Sequence, residues 1–186
     1  MRAEPLPDPG GRAHAPGALG LVQAFVNTVD MENVLELLAD PASLRAVLIR
    51  IGAGDPGPLD EPGLQRALEL REALRGMALR NNGGPVPVGA IATLERAADA
   101  AQLKARFDPP SLVPGAGGLD GALGVLVAAV HEALANGTWA RMKACRRHPC
   151  YWLYYDLSKN RSSTWCSMTV CGNRTKARAF RSRAGA

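Results

Sequence analysis

All four cysteines of this chain lie in its last 42 residues, Cys145 and Cys150 in CRRHPC and Cys166 and Cys171 in CSMTVC, giving the pattern C-x4-C-x15-C-x4-C. Two short-looped pairs separated by a longer excursion suit a tetrahedral metal, because each pair sets two sulfurs on one edge of the tetrahedron. Four thiolates leave no position for water, so the expected ion is one structural Zn2+ held by Cys145, Cys150, Cys166 and Cys171. The competing readings are two disulfides or a redox pair. Residues 1–18, MRAEPLPDPGGRAHAPGA, hold four prolines and three glycines and lack the apolar stretch of a signal peptide. They read as a flexible leader on a reduced, cytoplasmic protein, where structural disulfides are disfavoured. A C-x-x-C redox motif is absent as well. His148 lies inside the first loop, but four sulfurs already satisfy the ion.

The charge follows the cysteines. Residues 1–140 carry 11 basic and 16 acidic side chains, whereas residues 141–186 carry 11 basic and one acidic. An acidic body followed by a basic tail points to a polyanionic partner for the tail. After Cys171 the chain runs NRTKARAFRSR, which continues as a helix once the metal anchors its start. Arg174, Arg178 and Arg181, at i, i+4 and i+7, then share one face, flanked by Lys176 and Arg183. Such a helix suits double-stranded DNA. Asn173 and Arg174 are placed to reach base edges, while Lys159 and Arg161 on the SKNRSS turn are placed to hold phosphates. Between the cysteine pairs, YWLYYDLSKNRSSTW reads as a short hairpin. Trp152, Tyr154 and Trp165 read as its small core rather than as a base-stacking platform. So small a module depends on its metal, which contributes on the order of 10 kcal/mol in zinc-finger peptides.

The preceding residues read as about five packed helices, domains being typically ~100 to 150 residues. Leu19, Val22, Val26 and Val29, then Val34, Leu37 and Leu38, recur at helical spacing. Asp40-Pro41 opens a helix through Leu48, and residues 52–63 are a loop. Residues 64–80 form the clearest helix, with Ala67, Leu70, Leu74 and Met77 in line, and NNGGPVP ends it. A further helix over 88–106 places Ile91, Leu94, Ala98 and Ala101 on one stripe, and residues 107–118 read as loop or short extended chain. Asp120 is the expected cap of a last helix lined by Leu123, Val127, Val130 and Leu134 and stopped at Asn136-Gly137.

No catalytic constellation emerges, and the chain is not expected to be an enzyme. His131 reads as a packed or surface histidine, and GAGG at 115–118 fails the dinucleotide fingerprint. LGVLVAAV at 123–130, the longest apolar run, is far short of the ~20 residues that span a bilayer, so no membrane partner is expected.

RMKAC, then CYWLYYDLSKNRSSTWCSMTVCGNRTKARAFRSR, closely resembles the CGNR-type zinc finger, named for Cys171, Gly172, Asn173 and Arg174. Through FVNTVD at 25–30 and LREALR at 70–75, the body is similar to the helical ABATE domain that precedes this finger in bacterial stress-induced transcription regulators. The resemblance implies a zinc-containing bacterial DNA-binding regulator. The expected fold is mainly α: a leader over 1–18, a helical domain over 19–138, and a zinc-bound β-hairpin plus helix over 139–186. The body is expected to sense a small-molecule effector in a pocket among the helices around residues 19–48, 64–80 and 119–135, or to oligomerise, a homodimer supplying the area that one finger lacks. The alternative is an RNA-binding or protein-interaction adaptor that uses the same basic finger.

Overall fold

The computed structural model describes residues 12–85 and 87–184. The chain is mainly α: helical elements and short strand pairs precede a region in which the four cysteines cluster. Helix α1 spans Leu19–Val26 and buries Val22, Phe25 and Val26 completely. It does not continue through Val29 to Leu38. Those residues form a two-stranded hairpin, β1 (Val29–Asp30) against β2 (Leu35–Glu36). The reason is local. Asp30 Oδ1 accepts the backbone N–H of both Glu32 and Asn33 at 3.0 Å, an Asx turn that competes with the helix ladder. Val34 then takes the left-handed region at φ 54°.

Helix α2 (Pro41–Ile51) starts as its sequence demands. Asp40 accepts from Ser43 N–H, Ser43 Oγ accepts from Asp40 N–H, and Pro41 fills the first position. Gly52, at φ 87°, closes it in the left-handed conformation that only glycine adopts freely. Helix α3 (Glu61–Arg80) begins earlier than its apolar period indicates, because Asp60 caps it and Pro62 sits inside the first turn. Helix α4 spans Ala90–Ala100. The helix expected over 88–106 ends there, Gln102 turning the chain at φ 50°, and strand β3 (Lys104–Phe107) pairs antiparallel with β4 (Pro110–Val113), only the latter falling wholly where loop or extended chain is expected.

Helix α5 (Gly118–Ala135) is the central helix of the body, with Leu126 and Val130 fully buried. By length and composition it could cross a membrane, but more than half of it is buried inside the protein, as a core helix is. Asp120 does not cap it. Gly117 holds that position, and Asp120 in the first turn pairs with Arg66 at 2.9 Å instead. Three apolar positions on the expected stripes face solvent: Val34, almost wholly exposed, and Ile91 and Leu134, each about half exposed.

A 3-10 turn, Thr138–Arg141, leads directly into β5 (Met142–Ala144), which pairs with β6 (Leu153–Tyr155). This hairpin brackets the first cysteine pair, and only β6 lies in the excursion between the pairs, where the whole hairpin is expected. The segment 157–165 contains no strand, because its backbone is satisfied by side chains instead. Register places Met142 opposite Tyr155 and Ala144 opposite Leu153, and these four pack in the same core as α1, α3 and α5. Lys143 and Tyr154, the pair between them, face the other way, as strand alternation requires. Tyr154 there joins Trp152 and the four cysteines in a second small cluster. A tight turn at Met168–Gly172 passes into α6 (Asn173–Ala184).

Polar side chains of the body hold the hairpin down. Asn27 uses both ends of its amide on Leu153, donating to the carbonyl at 2.9 Å and accepting its N–H at 2.8 Å. Asn81 donates to the carbonyls of Trp139 and Met142, and Asn82 to those of Ala144 and Thr164, all within 2.9 Å. Residues 1–11 of the expected leader lie outside the described residues. Its continuation is packed: Ala13 accepts Tyr155 N–H at 3.4 Å, and the Gln23 amide binds Ala15 N–H and the Ala13 carbonyl.

Candidate metal centre and basic cleft

Three of the four cysteines are placed by backbone devices. Cys145 follows β5 and donates its N–H to Trp152 across the hairpin, while Cys150 N–H closes a turn on the Arg147 carbonyl at 2.8 Å. Cys171 is carried back toward Cys166 by the tight turn, whose Ser167 carbonyl accepts both Cys171 and Gly172 N–H. Gly172 packs closely: a Cβ there would displace the flexible Met168 thioether and crowd Trp165.

The four Sγ atoms lie within 4.8 Å of one another, all buried. Cys150 to Cys166 is 3.7 Å, Cys166 to Cys171 3.5 Å and Cys171 to Cys150 3.6 Å. A disulfide requires about 2.05 Å. Sulfurs about 2.3 Å from a tetrahedral zinc are about 3.8 Å apart. The geometry therefore fits one four-sulfur zinc site, and all four cysteines are free thiols. Thiol–thiol hydrogen bonds and burial push Cys145 and Cys166 up to about 12. For Cys171 burial acts in the same sense, but hydrogen bonds from the Arg147 guanidinium and from the Cys166 and Cys150 thiols together outweigh it and hold the thiol below its ordinary value. A divalent cation favours all four thiolates together.

Two arginines stand behind the sulfurs. Arg147 Nε donates to Cys171 Sγ and Arg12 Nε to Cys166 Sγ, both at 3.2 Å. The Arg12 guanidinium also lies 4.9 Å from the centroid of the Trp152 ring, a cation–π contact. Zinc with four thiolates carries a net charge of −2, and buried guanidinium donors offset it. The sequence pattern alone gave no sign of Arg12, because it lies 154 residues from the cysteine it serves.

The segment linking the cysteine pairs is built on a buried ion pair. Lys143 Nζ binds Asp156 Oδ2 at 2.8 Å and donates to the carbonyls of Arg161 and Ser163, while Asp156 accepts the N–H of Ser158 and Ser163. Burial raises the Asp156 carboxyl, but these donors hold it well below its ordinary 3.8. Tyr154 Oη donates to the Ser163 carbonyl at 2.6 Å. The turn that displays Lys159 and Arg161 is thus clamped from within, and both side chains are exposed on it.

Arg174, Arg178 and Arg181 line one open cleft of about 640 Å³ with Arg146, Arg147, His148 and Trp165. Trp152 and Tyr154 are buried among the cysteines, whereas Trp165 is half-buried at the cleft wall. Asn173 and Lys176 are exposed on α6 outside the lining, and so are Lys159 and Arg161 on their turn. The Arg183 side chain falls outside the described residues. Arg174 is engaged within the chain: its Nη1 and the Nη2 of Arg147 both grip the carboxylate of Glu32, at the tip of the β1–β2 hairpin. Sequence reading missed Glu32, which carries no signal except its place in an acidic body.

The two stretches that resembled a known domain meet in space. Arg71 and Arg75 of LREALR are buried; Arg71 binds Glu36 through both Nη atoms and Thr28 Oγ1, and Arg75 donates to the carbonyls of Val26 and Tyr151. FVNTVD and LREALR therefore form the mount of both the Glu32 hairpin and the first cysteine loop.

In the body, α3, α4 and α5 enclose a cleft of about 180 Å³ lined by Arg66, Thr93, Arg96 and Asp120 among others. Helices α1 and α2 do not line it, and drug-sized ligands usually occupy about 300 Å³ or more.

Residues 141–184 match the model of the CGNR zinc finger, and residues 19–137 match the ABATE model, described as a putative stress-induced transcription regulator. A comparison with curated proteins found no match. The ABATE match covers most of the chain, and the four-sulfur site stands where the CGNR model places a zinc finger: the chain belongs to the ABATE family of regulators and carries a C-terminal CGNR zinc finger.

Proposed function

We propose that this protein is a cytoplasmic DNA-binding transcription regulator whose finger grips duplex DNA through α6 and the cleft beside it. The observation that carries the reading is the convergence of Arg146, Arg147, Arg174, Arg178 and Arg181 on one cleft next to the four-sulfur site. Among the described residues no Asp or Glu lines that cleft, and the carboxylate held by its arginines, Glu32 on Arg147 and Arg174, comes from the body. Cys145, Cys150, Cys166 and Cys171 hold the zinc, and four sulfurs leave no coordination position for catalysis. Asn173 and Lys176 extend the DNA surface along α6, with Lys159 and Arg161 on the clamped turn. The body sets the finger's attitude and oligomerises or responds to an effector, the α3–α5 cleft being the place for a small one.

Fluorescence anisotropy with specific and random duplexes over a salt series tests the reading. Arg178→Ala or Arg181→Ala is expected to weaken binding to every sequence and to lower the salt slope by roughly one for each phosphate no longer neutralised. Unchanged binding in the double variant, with zinc retained, would end it. Preference for structured RNA or for an acidic protein over duplex DNA would move the protein to the adaptor class.

A further inference from the structure

Resting on the duplex-DNA reading above, we propose that Arg147 and Arg174 form a seat for one DNA backbone phosphate and that Glu32 of the body occupies this seat in the free protein. The two arginines stand 27 positions apart in the chain, yet each takes one oxygen of the same carboxylate: Arg147 takes Oε2 and Arg174 takes Oε1. Carboxylate and phosphate compete for guanidinium because both present paired anionic oxygens to its planar fork. The seat opens onto the remaining cations of the cleft, Arg146, Arg178 and Arg181, along which a phosphate backbone would run.

Glu32 is not a casual surface partner. Its N–H is fixed by Asp30 Oδ1 within the Asx turn, and Asn33 Nδ2 closes the same turn on Asp30 Oδ2 at 2.7 Å. The hairpin's base is held by Arg71, which grips Glu36 on β2 and Thr28 just before β1. The tip therefore delivers a carboxylate to a set place. Arg147 cannot follow a departing Glu32, because its Nε is engaged with Cys171 Sγ. Arg174 is more than half exposed and free to turn toward solvent. DNA entering the cleft must displace an anion belonging to the body, and the position of the β1–β2 hairpin sets how much that displacement costs.

Glu32→Gln keeps the shape and removes the charge. Measured by anisotropy on a fluorescent duplex, with zinc content and thermal midpoint checked first, it is expected to bind about three- to tenfold tighter than the parent. Glu32→Asp, which withdraws the carboxylate by one methylene, should fall between the two and serves if the Gln variant does not fold. Equal or weaker binding by the folded, zinc-loaded Gln variant, while Arg178→Ala still weakens the parent, would overturn the seat and leave the DNA reading standing. Failure of both parent and variant on every duplex would instead remove DNA as the occupant. Elution from immobilised heparin would then separate the remaining cases. Later elution of the Gln variant would keep Glu32 as a competitor for some other polyanion, and co-elution would dispose of the competition as well.

Discussion

The helical body and the finger solve the same problem by opposite means. The body buries Leu, Val and Ala from α1, α2, α3 and α5 in one apolar core, and its helices are begun and ended by local signals such as Asp40 and Gly52. The finger has little apolar surface of its own beyond Trp152, Tyr154 and the cysteines. It is held by a metal site, a buried ion pair and side chains that satisfy backbone carbonyls. An area-proportional force tolerates errors of a few ångströms and a few substitutions, whereas polar and metal bonds are directional and fail outright when one partner is removed.

The largest test of that contrast is Cys171→Ser. Loss of a ligand removes a metal contribution on the order of 10 kcal/mol. Elemental analysis should find zinc lost, and hydrogen exchange should show protection lost from about residue 157 onward. Protection should persist in α3 and α5 and, because Met142, Ala144, Leu153 and Tyr155 belong to the body's core, in the β5–β6 hairpin too. Collapse of protection in α5 would mean that the two regions are not held by different means.

Next in size is Lys143→Met, which strands the buried Asp156 carboxylate and should cost about 3 to 5 kcal/mol in urea unfolding. The parent's pH dependence gives the same pair a second reading. Asp156 has its folded pKa depressed, so its stabilisation is complete above the unfolded value near 3.8 and is lost as pH falls toward the folded value. Asp156→Asn should therefore flatten the acid limb of the stability curve below about pH 4.

A smaller effect is expected for Arg12→Ala, measured as zinc transfer to a chelator. Outer partners of metal ligands are typically worth 10- to 100-fold in affinity. The body's thermal midpoint is the control that separates weaker zinc from a general loosening.

Smallest of all, Ile91→Ala should change stability by less than about 0.5 kcal/mol, since its side chain is half exposed on α4. A large loss would show that this face is covered in solution, which is how oligomerisation through the body would announce itself.

What could be read from the sequence follows the same division. Periodicity located α3 and α5 because a burial stripe repeats every three or four residues, and cysteine spacing located the metal site because chelate loops have a narrow range of lengths. Periodicity failed at residues 29–38, where apolar spacing continued but the Asp30 turn and Val34's backbone cut the helix. It also mislaid the hairpin, since strands of three residues on either side of CRRHPC are too short to display alternation. The long-range partners were invisible to any local rule. Arg12 lies 154 residues from Cys166 and Glu32 lies 142 from Arg174. NNGG read as a helix stop, and its two asparagines prove to be fastenings for the finger.

Those fastenings bear on how such a protein can be taken apart. Domain shuffling treats a finger as cargo that travels with its own sequence, and the cysteine framework invites a cut near residue 138. Yet four of the carbonyls from Trp139 to Thr164 find their donors on Asn81 and Asn82, and Leu153 finds its own on Asn27. A fragment beginning at Thr138 would keep every zinc ligand while leaving those groups to water and half of its hairpin's apolar side bare. The portable unit is thus discontinuous, comprising the finger together with two short patches of helix end. A chimera that grafts this reader onto another body has to transplant the sockets as well as the plug.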